Sequence, residues 1–472
     1  MLTLSHILKA LAPAAQYQIT QDLEIACGCV DSRCVSEKGL FVALKGENTD
    51  GHQFVDQAFA NGAVLALIDH AIESKFPVID LTQESFELPK NAPFSLQTPD
   101  ALLALQTLAK YWRQQHNLVV IGITGSVGKS STKELIASVL GSQMKTLKNQ
   151  GNMNNEIGLP LTLLSLTEEH KAAVLEMGFY VAGEIKLLCD IAQPQIGIVT
   201  NIGTVHAERA GSIEAIARGK AELVESLPAS PEGLAILNYD DPFVKDMAGL
   251  TQARIFYYGL DPEADLWADE VESRGLDGIR CRIHYQDESL YVTAPLIGRH
   301  SVYTMLRAAA VALNLGMDWG SIFEAFKDDR VQLRIVTVKT ASGAVLIDDT
   351  YNASPDSTMA ALNLLDDLSG RKVAVLGDML ELGRYEEEGH NKIGMRASEV
   401  ADEIVLVGTR SLMTRDAAIE NGFPADMVHW FNDFNDATTY LRETLKSGDI
   451  ALIKGSHSMH MEKIVAALED VD

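Results

Sequence analysis

The apolar run LVVIGIT (118–124) leads straight into Gly125-Ser126-Val127-Gly128-Lys129-Ser130-Ser131-Thr132 and then into a helix-like stretch, KELIASVL. A buried strand, a glycine-bearing turn and a helix form the setting that a phosphate-binding loop requires. Gly125 and Gly128 let backbone come close to phosphate oxygens, and the helix start adds N–H donors and a favourable dipole. Thr124 to Ser130 are therefore the expected ATP-binding segment, with Lys129 reaching the β- and γ-phosphates and the Ser130 hydroxyl facing Mg²⁺. The general pattern places its first glycine five residues before the second. That place is Ile123 here, so the loop is a shorter variant.

Further apolar runs alternate with helical stretches, which predicts βαβ units and parallel sheets. They are AAVLE (172–176), IGIVT (196–200), LAILN (234–238), AVLIDD (344–349), KVAVLGD (372–378), EIVLVG (403–408) and DIALIKG (449–455). Open α/β sheets bind ligands beyond the carboxyl ends of their strands. Glu176, Asn201, His206, Asp349, Asp378 and Lys454 all stand at or just after such ends, which predicts an active site between α/β domains. The stretch from Ile255 to about Pro295 alternates apolar and polar residues and reads as antiparallel strands. Leu4, Ile7, Leu8 and Leu11 predict an N-terminal helix capped by Thr3, and Thr98-Pro99-Asp100 predicts a helix with Pro99 at its first position.

Composition narrows the function. Lys and Arg number 39 against 65 Asp and Glu, a net charge of −26. Nucleic-acid affinity comes mostly from basic residues neutralising phosphates, so that class of partner is disfavoured. Phosphate can still be bound locally by backbone N–H groups and a lysine. The chain is 47% hydrophobic and 22% charged, a globular balance. No apolar run approaches the ~18 residues that cross a bilayer, so no transmembrane segment is expected. The five cysteines, Cys27, Cys29, Cys34, Cys189 and Cys281, are an odd number and point to reduced thiols and a cytoplasmic protein. The first three cluster, but no second Cys/His pair at zinc spacing completes a site.

A bound triphosphate needs a metal. Mg²⁺ prefers carboxylate and hydroxyl oxygens, so Glu176 is the natural ligand beside Ser130. His206 is an unusual Mg²⁺ group, but it stands just after a strand end in TNIGTVHAE. From its residues alone, Lys220 reads as an exposed helix lysine.

The motifs TGSVGKSSTKE, GNMNNEIGLP, LEMG, TNIGTVHAE and ARGKAE follow one another in the order that resembles the Mur ligase family. DDTYNASPDS, GDMLELG and LIKGS agree in the C-terminal part; VDSR and LFVALKGENTDGHQF agree in the N-terminal part. The resemblance implies an α/β fold of three domains. A small N-terminal α/β domain (1–95) would take the UDP end of a substrate. A central P-loop domain with a mostly parallel sheet (96–328) would bind ATP. A Rossmann-like C-terminal domain (329–472) would bring the incoming amine. DDTYNASPDS with GDMLELG, and no DNPR, resembles the member that joins D-alanyl-D-alanine to UDP-N-acetylmuramoyl-tripeptide in peptidoglycan precursor synthesis. Two other outcomes stay open: a Mur-type ligase with a different amine acceptor, and a P-loop kinase or NTPase.

The resemblance also implies residue roles. Lys129, Glu176, His206 and Lys220 would be catalytic. Ser130 and Glu176 would hold one Mg²⁺, and His206 with a carbamoylated Lys220 a second. Asn155 would lie near the γ-phosphate, Arg334 and Asp349 near nucleotide phosphate and ribose, and Asn352 near the adenine. Ser32 would meet the uridine end, although Ser32-Arg33 also fits a turn closed by a salt bridge. Both substrates would be small molecules and the chain a monomer. The chain departs from the family pattern in places. Thr304 stands where GxHNxxN has its second asparagine, Leu333 where glycine is common before Arg334, and His457 where KGSR is common. Thr lacks the paired geometry of an amide.

Overall fold

The computed structural model describes residues 1–46, 49–205, 207–327 and 336–469. Its contacts separate two compact units. The first comprises Met1–Gly122, Met144–Gly178 and Glu184–Gln195; the second comprises Ile123–Gln143, Phe179–Gly183 and Ile196–Asp472.

In the first unit a five-stranded sheet runs in the order Gly28–Cys29, Gly39–Val42, Ala63–Ile68, Phe94–Gln97, Val78–Asp80, with every pair parallel. Leu40, Leu65, Leu67, Ile68 and Leu96 are fully buried. Nearly continuous apolar strands of this kind belong to parallel sheets covered on both faces. The N-terminal helix spans Leu4–Leu11 as expected, with Thr3 at its cap and its backbone N–H directed at the His6 ring. The next helix differs from expectation. It spans Ala101–Gln114, and its cap is Asp100, whose carboxylate accepts from the Leu103 N–H at 2.8 Å. Thr98 is held by the sheet, its N–H donating to the Ile68 carbonyl, so Pro99 precedes the helix instead of starting it. The strands Thr146–Lys148 and Ala172–Glu176 also pair in parallel.

In the second unit six strands lie in the order Glu288–Ala294, Ile279–Tyr285, Leu266–Ser273, Arg254–Gly259, Leu234–Asn238, Ile196–Val199. Only the pairings among the first three are antiparallel. Arg254–Gly259, expected within the antiparallel group, is parallel to both neighbours. Two short helical pieces, Pro242–Lys245 and Asp246–Leu250, supply the crossover that a parallel pairing requires. A separate six-stranded sheet takes the order Val336–Lys339, Val345–Asp348, Asp449–Lys454, Arg371–Gly377, Glu403–Val407, Val428–Phe431. It is parallel except at the edge strand Val336–Lys339, and apolar helices cover both faces. Every apolar run singled out in the sequence falls on a strand.

Among the described residues no helix is long and apolar enough to cross a membrane. All five cysteines are free, and Cys189 and Cys281 are buried.

Candidate active site

The strand Val119–Thr124 ends where Gly125 takes φ of 141°. That backbone is required by a close approach, because a Cβ on Gly125 would stand 1.8 Å from Thr200 Oγ1. Gly128, at φ of 83°, caps the helix Lys129–Gly141. Between the two glycines the turn is pinned to the strand end beside it. Ser126 N–H donates to the Asn201 carbonyl (2.9 Å) and Val127 N–H to Asn201 Oδ1 (2.8 Å). Thr200 Oγ1 donates to the Val127 carbonyl (2.7 Å), and Gly203 N–H to Ser126 Oγ (2.8 Å). Asn201 was noticeable in the sequence only as a polar strand end. Here one side chain and one carbonyl from it fix two consecutive peptides of the loop.

Two lysines converge on one loop oxygen. Lys129 Nζ donates to the Gly125 carbonyl at 2.8 Å and to the Ser126 carbonyl at 3.3 Å. Lys220 Nζ donates to the same Gly125 carbonyl at 3.1 Å. Lys220 is 1% exposed, not the solvent-facing helix lysine its residues alone suggest. The reason is local. Gly219 leaves room for the Phe179 ring, whose atoms would lie 2.0 Å from a Cβ there, and that ring sits 4.9 Å from Lys220 Nζ. Burial, with the charge of Lys129 adding to it, holds the Lys220 ammonium well below the ordinary lysine range. Two lysines crowding one carbonyl at the start of a helix, Lys129 adding its charge to the positive end of the helix dipole, make a site that an anion would stabilise.

Three family models describe almost the whole chain. They are "Mur ligase family, catalytic domain" over residues 24–113, "Mur ligase middle domain" over 123–312, and "Mur ligase, glutamate ligase domain" over 333–457. A UDP-N-acetylmuramoyl-tripeptide--D-alanyl-D-alanine ligase of Synechocystis is 35% identical, with 95% of this chain and 93% of that one covered. The chain belongs to the Mur ligase family. The Bacillus subtilis protein of the same name is 34% identical, covering 98% and 97% of the two chains. Among solved structures, MurF from Acinetobacter baumannii superposes with a TM-score of 0.84 at 32% identity, covering 99% and 98%. MurF ligase from Thermotoga maritima in complex with ADP gives 0.78 at 25% identity, covering 95% and 98%.

Within this Mur ligase Thr124 to Ser130, Lys220, Asp349 and Asn352 all belong to the second unit. Asp349 is engaged by Lys454, whose Nζ lies 2.6 Å from Asp349 Oδ2 and 2.9 Å from the Asn352 carbonyl. The Asn352 side chain accepts from the Ala353 N–H. The first unit carries Ser32, Asn155 and Glu176. Glu176, 2% exposed, ends its strand and takes a hydrogen bond on Oε1 from Asn154 Nδ2 (3.0 Å), while its backbone N–H donates to Asn149 Oδ1. Asn149, just before the GNMNNEIGLP motif, fixes the Glu176 backbone, and Asn154, inside it, holds the carboxylate. Asn155 Oδ1 accepts from the Gly158 N–H at 2.8 Å, at the start of the helix Gly158–Leu163. Ser32 is buried, donating to Gln57 Oε1. Its neighbour Arg33 pairs with Asp31, as a salt-bridged turn would, and holds the Asp31 carboxyl down at about 2. His206 and Arg334 lie outside the described residues.

One further cluster has metal-like composition. The donor atoms of Asp50, His52 and His70 lie within 4.8 Å of one another. The Asp69 N–H donates to His52 Nε2 (3.1 Å), so a neutral ring carries its proton on Nδ1, which faces Asp50 Oδ1 at 2.7 Å. Neither nitrogen keeps a lone pair for a cation, and His52 is a hydrogen-bonded brace between Asp50 and the strand end at Asp69.

Proposed function

We propose that this chain is an ATP-dependent amide ligase that joins D-alanyl-D-alanine to UDP-N-acetylmuramoyl-tripeptide, giving ADP and phosphate. The observation that carries it is a phosphate loop with two lysines on its Gly125 carbonyl, in a chain alike over nearly its full length to ligases of that name. The three-domain division at 1–95, 96–328 and 329–472, action as a monomer in the cytoplasm, and the site roles below belong to the same proposal. The five free cysteines support the location.

The chemistry begins with two anions, a carboxylate and a triphosphate. The loop N–H groups and Lys129 hold the polyphosphate and offset charge on the γ-phosphoryl as it leaves ADP. A substrate carboxylate oxygen attacks γ-phosphorus, the bond to the β–γ bridging oxygen breaks, and an acyl phosphate forms. The dipeptide amine, having lost a proton, then attacks the acyl carbon. The tetrahedral adduct collapses to the amide and expels phosphate. Holding the partners in line can supply roughly 7–11 kcal/mol of the barrier in well-oriented systems. The donor chemistry fits Mg²⁺, since Ser130 offers a hydroxyl on the first helical turn and Glu176 a buried carboxylate. Mg²⁺, when bound, neutralises phosphate charge and orients the transferred group. His206 and a carbamoylated Lys220 are proposed for a second ion. Asn155, Asp349, Asn352 and Arg334 are proposed for the nucleotide, and Ser32 for the uridine end.

Lys220 suits carbamoylation for a physical reason. A buried amine beside a second cation is readily neutral. As a neutral amine it attacks CO₂ and releases a proton, and the resulting anion ends the repulsion from Lys129. Stripping CO₂ from the assay is expected to lower turnover, and bicarbonate to restore it. Lys220→Met is expected to lose about a hundredfold or more in kcat, the order for one electrostatic group, and to ignore bicarbonate. Turnover unchanged by CO₂ removal contradicts this role.

The assignment as a whole is tested by phosphate release from purified protein with ATP, Mg²⁺, UDP-tripeptide and a panel of amines. Release is expected only when the tripeptide and D-alanyl-D-alanine are both present. Release without an amine would identify an NTPase or kinase, and preference for another amine a different acceptor.

A further inference from the structure

The helix Ser301–Asn314 packs against Lys129–Gly141, the helix that the phosphate loop opens. Arg307 lies on its buried side and is 4% exposed. Nη1 donates to the Tyr258 hydroxyl (3.2 Å) and Nη2 to Thr304 Oγ1 (3.0 Å). The Nε–H is buried with no hydrogen-bond partner. Among the described residues no carboxylate forms an ion pair with this guanidinium. Its Nη2 would stand 3.2 Å from a Cβ placed on Gly128, so the cation rests against the last glycine of the phosphate loop. Tyr258 OH donates onward to the Thr200 carbonyl (3.1 Å), and Thr200 Oγ1 to Val127. Hydrogen bonds therefore run from Arg307 round to the far side of the same loop.

A buried charge is expensive unless paired, and a buried N–H without a partner asks for a cause. The neighbours here supply hydroxyls, a glycine backbone and the Tyr258 ring, whose centroid lies 5.6 Å from Arg307 Cζ; Asp240 and Asp241 act on Tyr258, but neither is an ion-pair partner of Arg307.

We propose that Arg307 is a nucleotide-positioning residue whose uncompensated charge behind Gly128 is balanced by the polyphosphate of ATP, with Thr304 as its hydroxyl anchor where the family has asparagine. The proposal rests on the ATP-ligase assignment. Arg307 acts differently from Lys129. Its planar guanidinium is locked by Tyr258 and Thr304, so it contributes a fixed field across a dry contact, where electrostatic interactions are strong. Linkage follows. Without nucleotide the unpaired cation costs stability, and binding of the anion returns it.

Arg307→Met and Arg307→Lys test this in the full-length protein. The readouts are the Kd of a nonhydrolysable ATP analogue with Mg²⁺, the KM of each substrate, and the thermal midpoint without nucleotide. Arg307→Met is expected to raise the analogue Kd and the KM for ATP at least tenfold. The KM values for UDP-tripeptide and dipeptide should stay within twofold, and the nucleotide-free midpoint should equal or exceed the parent's. Arg307→Lys, which keeps a charge but cannot bridge both hydroxyls, should fall between. Adding Thr304→Asn to Arg307→Met should recover part of the affinity. An analogue Kd within twofold of the parent's overturns the proposal. So does a Met variant that unfolds, or one that shifts all three KM values together, because both mark a packing role. If the parent itself binds no nucleotide, the ligase assignment fails; if the parent binds and Arg307→Met binds equally, only Arg307 loses its role.

Discussion

Lys129→Met is expected to reduce ATP-dependent amide formation by on the order of a thousandfold while leaving the protein folded, since loss of one preorganised donor at a developing anion costs about 10²–10³ in kcat. The effect should exceed that of any neighbouring side chain. Lys129 Nζ donates to the Gly125 and Ser126 carbonyls, so its charge is held against the loop that the proposal gives to the polyphosphate. The substitution also removes the second cause of the lowered Lys220 ammonium, so the Lys220 amine should become easier to protonate. Steady-state rates and circular dichroism on the same preparation check this. A rate within tenfold of the parent, from a folded variant, would mean that the lysine is not at the transferred group.

Gly125→Ala is expected to damage both folding and nucleotide binding. The added Cβ meets Thr200 Oγ1 at 1.8 Å and the Thr200 backbone N at 3.0 Å, and φ of 141° is a conformation that side chains rarely adopt. Neither problem is relieved by a rotamer change, because Thr200 Oγ1 is committed to the Val127 carbonyl. Backbone strain and overpacking each cost ~1–3 kcal/mol, so a loss of about 3 kcal/mol is expected, read as a lower denaturation midpoint. Nucleotide affinity should fall below detection. Gly141→Ala, with open space around its Cβ, is the matched control and should behave as the parent. A Gly125→Ala protein as stable and active as the parent would show that the loop does not hold this shape.

The phosphate loop was legible in the sequence because its residue types are forced one by one. Tight backbone approach demands Gly125, the helix start demands Gly128, and the lysine and hydroxyl follow at fixed offsets. Strands were legible for a related reason: parallel strands buried on both faces are short apolar runs with nothing to confuse them. What stayed hidden depends on contacts between residues far apart in the chain. Lys220 looked exposed because the sequence does not say that Phe179, forty-one residues earlier, lies against Gly219. The pairing of Asp349 with Lys454 joins two polar strand ends that lie more than a hundred residues apart in the chain. Arg307 sits on the buried side of its helix beside Ala308, Ala309 and Ala310, and only the proximity of Gly128 and Tyr258 gives its charge a purpose. The Ala101–Gln114 helix shows a smaller failure of the same sort. Pro99 is a good first helical residue, but the sheet claims Thr98 and leaves Asp100 to cap.

The most direct measurement follows oxygen. UDP-tripeptide labelled with ¹⁸O in both oxygens of the reacting carboxylate is turned over with ATP and D-alanyl-D-alanine, and the released phosphate is examined by mass spectrometry. Attack of that carboxylate on γ-phosphorus, followed by expulsion of phosphate from the acyl carbon, predicts one ¹⁸O in each phosphate and one kept in the new amide. Unlabelled phosphate, with amide formed at the normal rate, would show that the phosphoryl group never reached the carboxylate.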